Sequence, residues 1–322
     1  MKTMTVFFVF LLATALGVAG PTSDTLKNAV ERLSSCGNFL RVDQQYVFTG
    51  FGSYRTGSQV NRSPQPAVLR FIDFNTLQES QVLANDSVID VLTYQNRTYI
   101  LTYSGLEEWD LSTRQHLGTY STHTTDGRYG DEQHAQSFAR YQDKLVIAHG
   151  RLGVSIFDLK LKRVTQTIPL ISQGSLESMA RGVAISGQNA FVVLDSYTLV
   201  GPTQKAPFRG LVVIDLETDQ VIREINNAQP GADSISADQN TLIVSFYGLP
   251  LWTYSISSIL SAKNVQPKAR VFKFPIDGSP KGKAFVDYKY YYTCFSQMPG
   301  PGEGSYYKIT KLALNRAQLI LK

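Results

Sequence analysis

Cysteine, tryptophan and charged side chains are scarce in this chain of 322 residues. It contains two cysteines and two tryptophans, and charged residues make up 18% of it, with a net charge of +5. Lysine and arginine are spread along the chain without forming runs, so nucleic-acid binding has no compositional support. No Cys-x-x-Cys pair occurs, which removes the short-spacing signature of a redox or zinc site.

Several catalytic and ligand-binding motifs are also missing. No Gly-x-Ser-x-Gly elbow is present, so an α/β-hydrolase serine is not supported. The glycine-rich segment 302–305 is not followed by the lysine of a phosphate-binding loop. No Asp-x-Asp-x-Asp-Gly calcium loop occurs. The sequence therefore assigns no catalytic residue, and it favours a protein that is not an enzyme.

Only one long apolar run exists, and it lies at the N-terminus. Lys2 precedes an apolar stretch from Val6 to Ala19 that is too short to span a bilayer comfortably. This pattern predicts a signal peptide over residues 1–20 and export to the periplasm or the extracellular space. An uncleaved N-terminal anchor is the alternative. No later stretch is apolar enough to cross a membrane, so the mature chain is predicted not to be transmembrane.

A short phrase that ends in an Asp-containing turn returns along the chain. It occurs at 71–76, 109–113, 156–159 and 213–218, as in Val213-Ile214-Asp215-Leu216-Glu217-Thr218, with weaker echoes at 252–256 and 309–312. Each copy reads as a strand entering a tight turn that is followed by another apolar alternation. A strand-rich unit that recurs about every 40 to 57 residues is typical of a β-propeller.

The repeats predict an all-β fold, a β-propeller of six four-stranded blades, with the strands of each blade named a to d. A single domain would cover residues 21–322, with blades over about 36–322. Leu26, Val30 and Leu33 follow the capping segment Thr22-Ser23-Asp24 at helical spacing, which predicts a short helix over about 23–34.

The two cysteines lie near opposite ends of the predicted ring. Cys36 precedes strand a of the first repeat, and Cys294 lies in strand b of the sixth repeat, which is its neighbour when the ring closes. In an exported protein two cysteines usually pair, so the sequence predicts a disulfide that fastens the ring. Two unpaired buried thiols are the alternative.

Long connections collect on one edge of the predicted ring. The b–c and d–a connections at 52–66, 121–136, 196–209 and 298–305 are long. The a–b turns are tight, and so are the c–d turns, except for the connection at 257–268 in the fifth repeat. In a propeller the b–c and d–a connections share one face. Because loops on a rigid scaffold often carry function, we expect the binding surface on this face. Loop drift without function is the alternative.

Three groups of candidate binding residues belong to this face. Histidines and carboxylates suited to metal binding or acid–base chemistry are His123, Asp126, Asp131, His134 and His149. Charged side chains at the channel mouth, where successive strands a begin, are Asp86, His134, Arg181, Asp233 and Lys283. Tyrosines suited to sugar or protein recognition are Tyr54, Tyr129, Tyr197, Tyr306 and Tyr307. Polar surface loops and packing between blades explain the same residues without a ligand.

The phrase Ile214-Asp215-Leu216-Glu217-Thr218, followed by Val221-Ile222, resembles the repeat of YVTN-type, lactonase-like and quinoprotein-like propellers. The copy at 109–113 resembles it too. The resemblance covers most of the mature chain and implies the fold, but not an activity. With only Trp109 and Trp252, the chain lacks the regular tryptophan-docking pattern of the quinone-cofactor enzymes.

Three hypotheses follow for function. The first is a module that binds a protein, peptide or glycan on the face with the long connections, with no nucleic-acid partner and no predicted cofactor. The second is a lactonase-like or other hydrolase at the channel mouth, where a divalent metal is the alternative to no cofactor. The third is a redox-cofactor propeller. Fold alone does not decide among them.

Overall fold

Antiparallel sheets of similar length follow one another along the computed structural model of this chain. The structure describes residues 23–33, 39–43, 45–51, 67–122, 134–170, 178–196, 210–226, 232–238, 240–246, 251–261, 270–272, 279–286, 291–296 and 307–308. Helix α1 (Ser23–Arg32) comes first, where the sequence predicts a helix.

Five sheets have four strands each, and each strand pairs with the next one along the chain. Blade 1 comprises β1 (Leu40–Val42), β2 (Tyr46–Phe51), β3 (Val68–Asp73) and β4 (Glu79–Leu83). Blade 2 comprises β5 (Val88–Tyr94), β6 (Arg97–Thr102), β7 (Leu106–Asp110) and β8 (Gln115–Tyr120). Blade 3 comprises β9 (Ser137–Tyr141), β10 (Lys144–Ala148), β11 (Val154–Asp158) and β12 (Arg163–Ile168).

Blade 4 comprises β13 (Ser178–Ser186), β14 (Asn189–Ser196), β15 (Gly210–Asp215) and β16 (Gln220–Asn226). Blade 5 comprises β17 (Ala232–Asp238), β18 (Thr241–Phe246), β19 (Leu251–Ser255) and β20 (Arg270–Phe272), with helix α2 (Ile256–Ser261) between its last two strands. A further sheet has three strands, β21 (Ser279–Val286), β22 (Tyr291–Ser296) and β23 (Tyr307–Lys308).

The prediction of a propeller built from four-stranded blades is confirmed, but the prediction of six such blades is wrong, because the described residues form five of them. The first strands of successive blades contact one another, and β21 of the three-stranded sheet contacts both β17 and β1. This smaller sheet therefore lies between blade 5 and blade 1. Its third strand is only two residues long. The sequence predicts the fourth strand of this sheet over residues 317–321, which lie outside the described residues.

The aspartate of the repeated phrase caps the turn between the third and fourth strands of a blade. Each Asp Oδ1 accepts a hydrogen bond from the backbone N–H two residues later, at 2.6 to 3.0 Å. The four aspartates are Asp73, Asp110, Asp158 and Asp215. The turn ends four residues after each aspartate at a residue with φ between 54° and 56°, namely Leu77, Arg114, Lys162 and Asp219. The phrase is thus an Asx turn that reverses the chain.

Apolar side chains fill the spaces between neighbouring blades. Separate buried clusters join blades 1 and 2, blades 2 and 3, blades 3 and 4, and blades 4 and 5. Leu26, Ala29 and Leu33 of the α1 segment pack on Val47 and Ile72 of blade 1. Inner strands such as β6 and β10 are buried on both faces because each blade packs between two neighbours, whereas the outermost strands β4 and β8 are mostly exposed.

Helix α2 occupies part of the long third-to-fourth connection in blade 5, where the sequence analysis placed a loop. Ile256 and Ile259, three residues apart, are buried on one side of the helix. Asn240 Oδ1 accepts a hydrogen bond from Ser257 N at 2.9 Å, which satisfies a donor in the first turn. A helix of six residues is too short for its period to be recognised from sequence.

The predicted disulfide remains a prediction. Cys294 lies in β22, whereas Cys36 lies outside the described residues, and no disulfide is found among those that are described. The predicted signal peptide also lies outside them. Within the described ranges, neither helix is long and apolar enough to cross a membrane.

A buried polar network joins blades 2 and 3. Lys162 Nζ lies 2.8 Å from Glu108 Oε2 and 2.9 Å from Tyr99 Oη, and Tyr120 Oη donates to Glu108 Oε2 at 2.8 Å. Burial acts to raise the pKa of Glu108, but the hydrogen bonds from Lys162 and Tyr120 outweigh it and hold the pKa below its ordinary value of 4.5. The carboxylate is therefore the favoured form in the folded protein.

Acid should weaken this network. Folding lowers the pKa of Glu108. Its contribution to stability is therefore fully present above the pKa of the unfolded state and is lost as the pH falls through the pKa of the folded state. We expect the difference in unfolding free energy between the wild type and Glu108→Gln to shrink between pH 7 and acid pH. Urea titrations across this range measure it, and a difference independent of pH would contradict the assignment.

Gly153, in the turn between β10 and β11, offers a sharp test of the backbone. Its φ is +90°, and an added Cβ would lie 2.3 Å from the carbonyl oxygen of Ile168. We expect Gly153→Ala to lower the unfolding free energy by about 1–3 kcal/mol. Gly187 is the matched control, since its φ is +58° with nothing within 4 Å; Gly187→Ala should cost only about 1 kcal/mol. Equal losses in urea titrations would contradict this.

Candidate functional site

The long-connection edge is the face of the propeller that carries the b–c and d–a connections. The structure describes it mainly around the first residues of blades 3 and 4. His134 stands just before β9, and its ring stacks on Tyr103 with ring centroids 3.3 Å apart. His134 Nδ1 lies 3.2 Å from the carbonyl oxygen of Tyr103, so an Nδ1–H tautomer would donate to it. This imidazole is held against blade 2 by both contacts.

Gln136 links His134 to Arg181. Its Nε2 donates to the carbonyl oxygen of His134 at 3.2 Å, and its Oε1 accepts a hydrogen bond from Arg181 Nη1 at 3.2 Å. Two of the predicted channel-mouth residues are thus brought to one site through a side chain that the sequence analysis did not single out. Gln136 directly precedes β9 on the chain, and this position is the sequence signal that could have identified it.

His149, at the end of β10, is fully buried. Its Nε2 lies 3.2 Å from the hydroxyl oxygen of Thr122, which follows blade 2. Next to it, Gly150 and Ala180 form an isolated bridge between blades 3 and 4. His149 therefore lies under the edge, within the packing of three blades.

Asp86 does not join His134 and Arg181 through any contact that the structure describes. Its Oδ1 accepts a short-range hydrogen bond from Ser87 N at 2.7 Å. Asp233 lies in β17 and Lys283 lies in β21, and only the backbone of these two residues is described. The remaining candidates lie outside the described residues: Tyr54, His123, Asp126, Tyr129, Asp131, Tyr197 and Tyr306. Tyr307 begins β23.

Among the described residues, no group of three or more histidine, cysteine, aspartate or glutamate side chains could hold a metal ion. The side chains that meet at the described edge offer hydrogen-bond donors and acceptors. An imidazole, an amide and a guanidinium stand side by side at the start of two neighbouring blades. Such an arrangement suits the recognition of a polar ligand.

A second site, which the sequence analysis missed, lies at the other end of the channel. A cavity of about 340 Å³ opens between the first strands of the five blades. Its polar lining comprises Arg41, Asp43, Thr93, Arg140 and Ser236. These residues lie in the middle or later part of a first strand or directly after it, near the tight turn to the second strand, so the cavity faces away from the long connections.

Arg41 joins three blades beside this cavity. Its Nη1 lies 2.8 and 3.0 Å from the two carboxylate oxygens of Asp90 in blade 2 and donates to the carbonyl oxygen of Phe138 in blade 3 at 3.2 Å. Asp90 also accepts from Phe138 N at 3.1 Å and from Ser137 Oγ at 3.3 Å. Asp90 Oδ1 also accepts a hydrogen bond from Val91 N at 2.9 Å. Only 1% of the Asp90 side chain is exposed, so its charge depends on protein groups such as these for compensation.

Asp43 is the carboxylate of the cavity wall. It accepts hydrogen bonds from Gln45 N at 2.8 Å, from Tyr46 N at 2.7 Å, and from the hydroxyl of Thr93 in blade 2. Burial is the dominant effect and raises the pKa of Asp43 above its ordinary value, although these hydrogen bonds oppose the rise. Arg41 and Asp43, two residues apart on the chain, are the basic and the acidic side chain of the same cavity wall.

The chain matches no protein-family profile and no curated protein. The crystal structure of the computationally designed Ika8 protein is similar over 80% of this chain and 67% of its own, with 11% identity and a TM-score of 0.49. That of the designed Ika4 protein is similar over 54% and 93%, with 13% identity and a TM-score of 0.41. The resemblance to YVTN-type and lactonase-like propellers is confirmed for the propeller fold and stays a prediction for the family.

Proposed function

We propose that this protein is an exported binding module that recognises a protein, peptide or glycan on the long-connection edge of its propeller. One observation carries the proposal. The first-to-second turns are tight hairpins such as Gln95-Asn96, whereas the second-to-third and fourth-to-first connections include the intervals 52–66, 123–133 and 197–209. Because neighbouring strands in every blade are antiparallel, these long intervals leave and re-enter the blades on one edge.

The side chains at that edge support the same proposal. Arg181, Gln136 and His134 combine hydrogen-bond donors and acceptors, and Arg181 is partly exposed. Arginine is enriched among the residues that contribute most to binding. The blades beneath are joined by buried apolar clusters, which gives the edge a rigid base.

The test compares two arginines at opposite ends of first strands. A ligand selected from a glycan array or a peptide library against the full chain is titrated into Arg181→Ala and, as the matched control, Arg140→Ala. We expect Arg181→Ala to weaken binding by about tenfold or more and Arg140→Ala to leave it unchanged. Equal effects of both substitutions, or of neither, would contradict binding on the long-connection edge.

The hydrolase hypothesis is separated from binding by a second set of variants. A lactone and ester screen on the wild type is repeated with His134, Asp86 and Asp233 each replaced by alanine. Turnover that is lost in these variants would replace the binding proposal with the hydrolase. Turnover that is absent, or that survives all three substitutions, removes the channel-mouth hydrolase.

A further inference from the structure

The cavity at the opposite end of the channel is small and has walls of mixed character. Its volume of about 340 Å³ lies at the lower end of the range for small-molecule sites. Leu92, Val183 and Ile235 supply apolar walls from three blades, beside the polar groups already described. The site therefore fits a molecule of few atoms with one charged end.

The charged group available to such a molecule is Arg41. All the hydrogen bonds that the structure describes for this guanidinium use Nη1, which binds Asp90 and Phe138. A guanidinium carries five N–H donors, and those of Nη2 and Nε form a fork that matches a carboxylate. Arg41 is partly exposed and lines the cavity, whereas its partner Asp90 is buried.

The carboxylate of Asp43 makes no described hydrogen bond to that fork, although the two opposite charges attract each other. It is occupied by two backbone N–H groups and by the hydroxyl of Thr93. Arg140, from blade 3, adds a second positive charge to the lining, with its Nη1 donating to the carbonyl oxygen of Gln142 at 2.9 Å and its guanidinium stacked on Tyr94. The lining thus contains two guanidinium groups and one carboxylate, and that carboxylate is hydrogen-bonded to protein groups.

We propose that this axial cavity binds a small organic carboxylate, with the carboxylate held by Nη2 and Nε of Arg41 and the short carbon chain packed against Leu92, Val183 and Ile235. The ligand enters from the edge that carries the tight turns. This site is distinct from the long-connection edge, and it does not depend on the macromolecular binding proposed there.

Isothermal titration calorimetry of the full chain with sodium succinate and sodium acetate tests the proposal. Sodium chloride at matched ionic strength is the reference, and choline chloride is the cationic probe. We expect one succinate per chain and no choline binding. Arg41→Lys keeps a positive charge beside Asp90 but removes the planar fork, so it should weaken succinate binding by about tenfold. Ser236→Leu, which adds carbon atoms to the lining, should abolish binding.

Circular dichroism establishes that each variant is folded. If Arg41→Lys does not fold, Arg140→Gln replaces it. We expect Arg140→Gln to lower the affinity for succinate measurably, but by less than Arg41→Lys. Two results overturn the proposal. One is the absence of succinate and acetate binding to the folded wild type at concentrations up to about 10 mM, ten times a millimolar dissociation constant. The other is binding that survives both the substituted arginine and Ser236→Leu.

Discussion

Replacing Asp90 by alanine is expected to lower the free energy of unfolding by about 3–5 kcal/mol, the cost of breaking a buried ion pair. The substitution leaves the Arg41 guanidinium facing the site of a lost charge, and it removes the acceptor of Phe138 N in blade 3. Because one carboxylate serves groups from blades 1 and 3, its loss affects the packing of three blades together. Urea unfolding followed by tryptophan fluorescence measures the effect.

The control for Asp90 is an ion pair on the surface of the same blade. Arg97 lies 3.2 Å from Asp110 and is 42% exposed, so Arg97→Ala should cost at most about 1 kcal/mol. Asp90→Asn keeps the shape of the side chain and one acceptor oxygen. We expect its loss of unfolding free energy to lie between those of Asp90→Ala and Arg97→Ala. If Asp90→Ala costs no more than Arg97→Ala, the three-blade network does not stabilise the ring.

The second large effect is expected for Phe157→Ala. Phe157 in β11 is fully buried in the cluster that joins blades 2 and 3, together with Leu101, Phe138 and Leu145. Removing an aromatic ring from such a packed interface typically costs about 3–5 kcal/mol, because the surroundings collapse only partly into the cavity. Thermal and urea unfolding should both report the loss.

Leu161→Ala is the matched control for Phe157. Leu161 lies in the turn that follows the same strand and is 57% exposed, so its truncation should change stability by no more than about 0.5 kcal/mol. A similar loss in the two variants would mean that the interface between blades 2 and 3 is not packed as described.

The repeated phrase allowed the propeller fold to be predicted, because its physical basis is local. An aspartate that caps its own turn, followed by a residue with positive φ, uses only five consecutive positions, as at Asp215 to Asp219. The number of complete blades was not accessible in the same way. The alternation at 317–321 looks like a strand, but alternation does not establish that a strand pairs with a sheet.

The candidate site was predicted only in part, for a related reason. Arg181 and His134 were identified from their positions at the beginning of predicted strands, but their link through Gln136 depends on how blades 3 and 4 pack. Arg41 and Asp90 are 49 residues apart, and each is flanked by apolar residues in its strand. Only the packing of blade 1 on blade 2 brings them together beside the cavity.

The central claim is that the edge with the long connections is the binding surface. Hydrogen–deuterium exchange of the full chain with and without its selected macromolecular ligand tests this claim most directly. We predict protection at the beginning of β9 and β13, around Gln136 and Arg181, and unchanged exchange at the tight turns around Gln95 and Gly187. Protection confined to those tight turns would contradict the account.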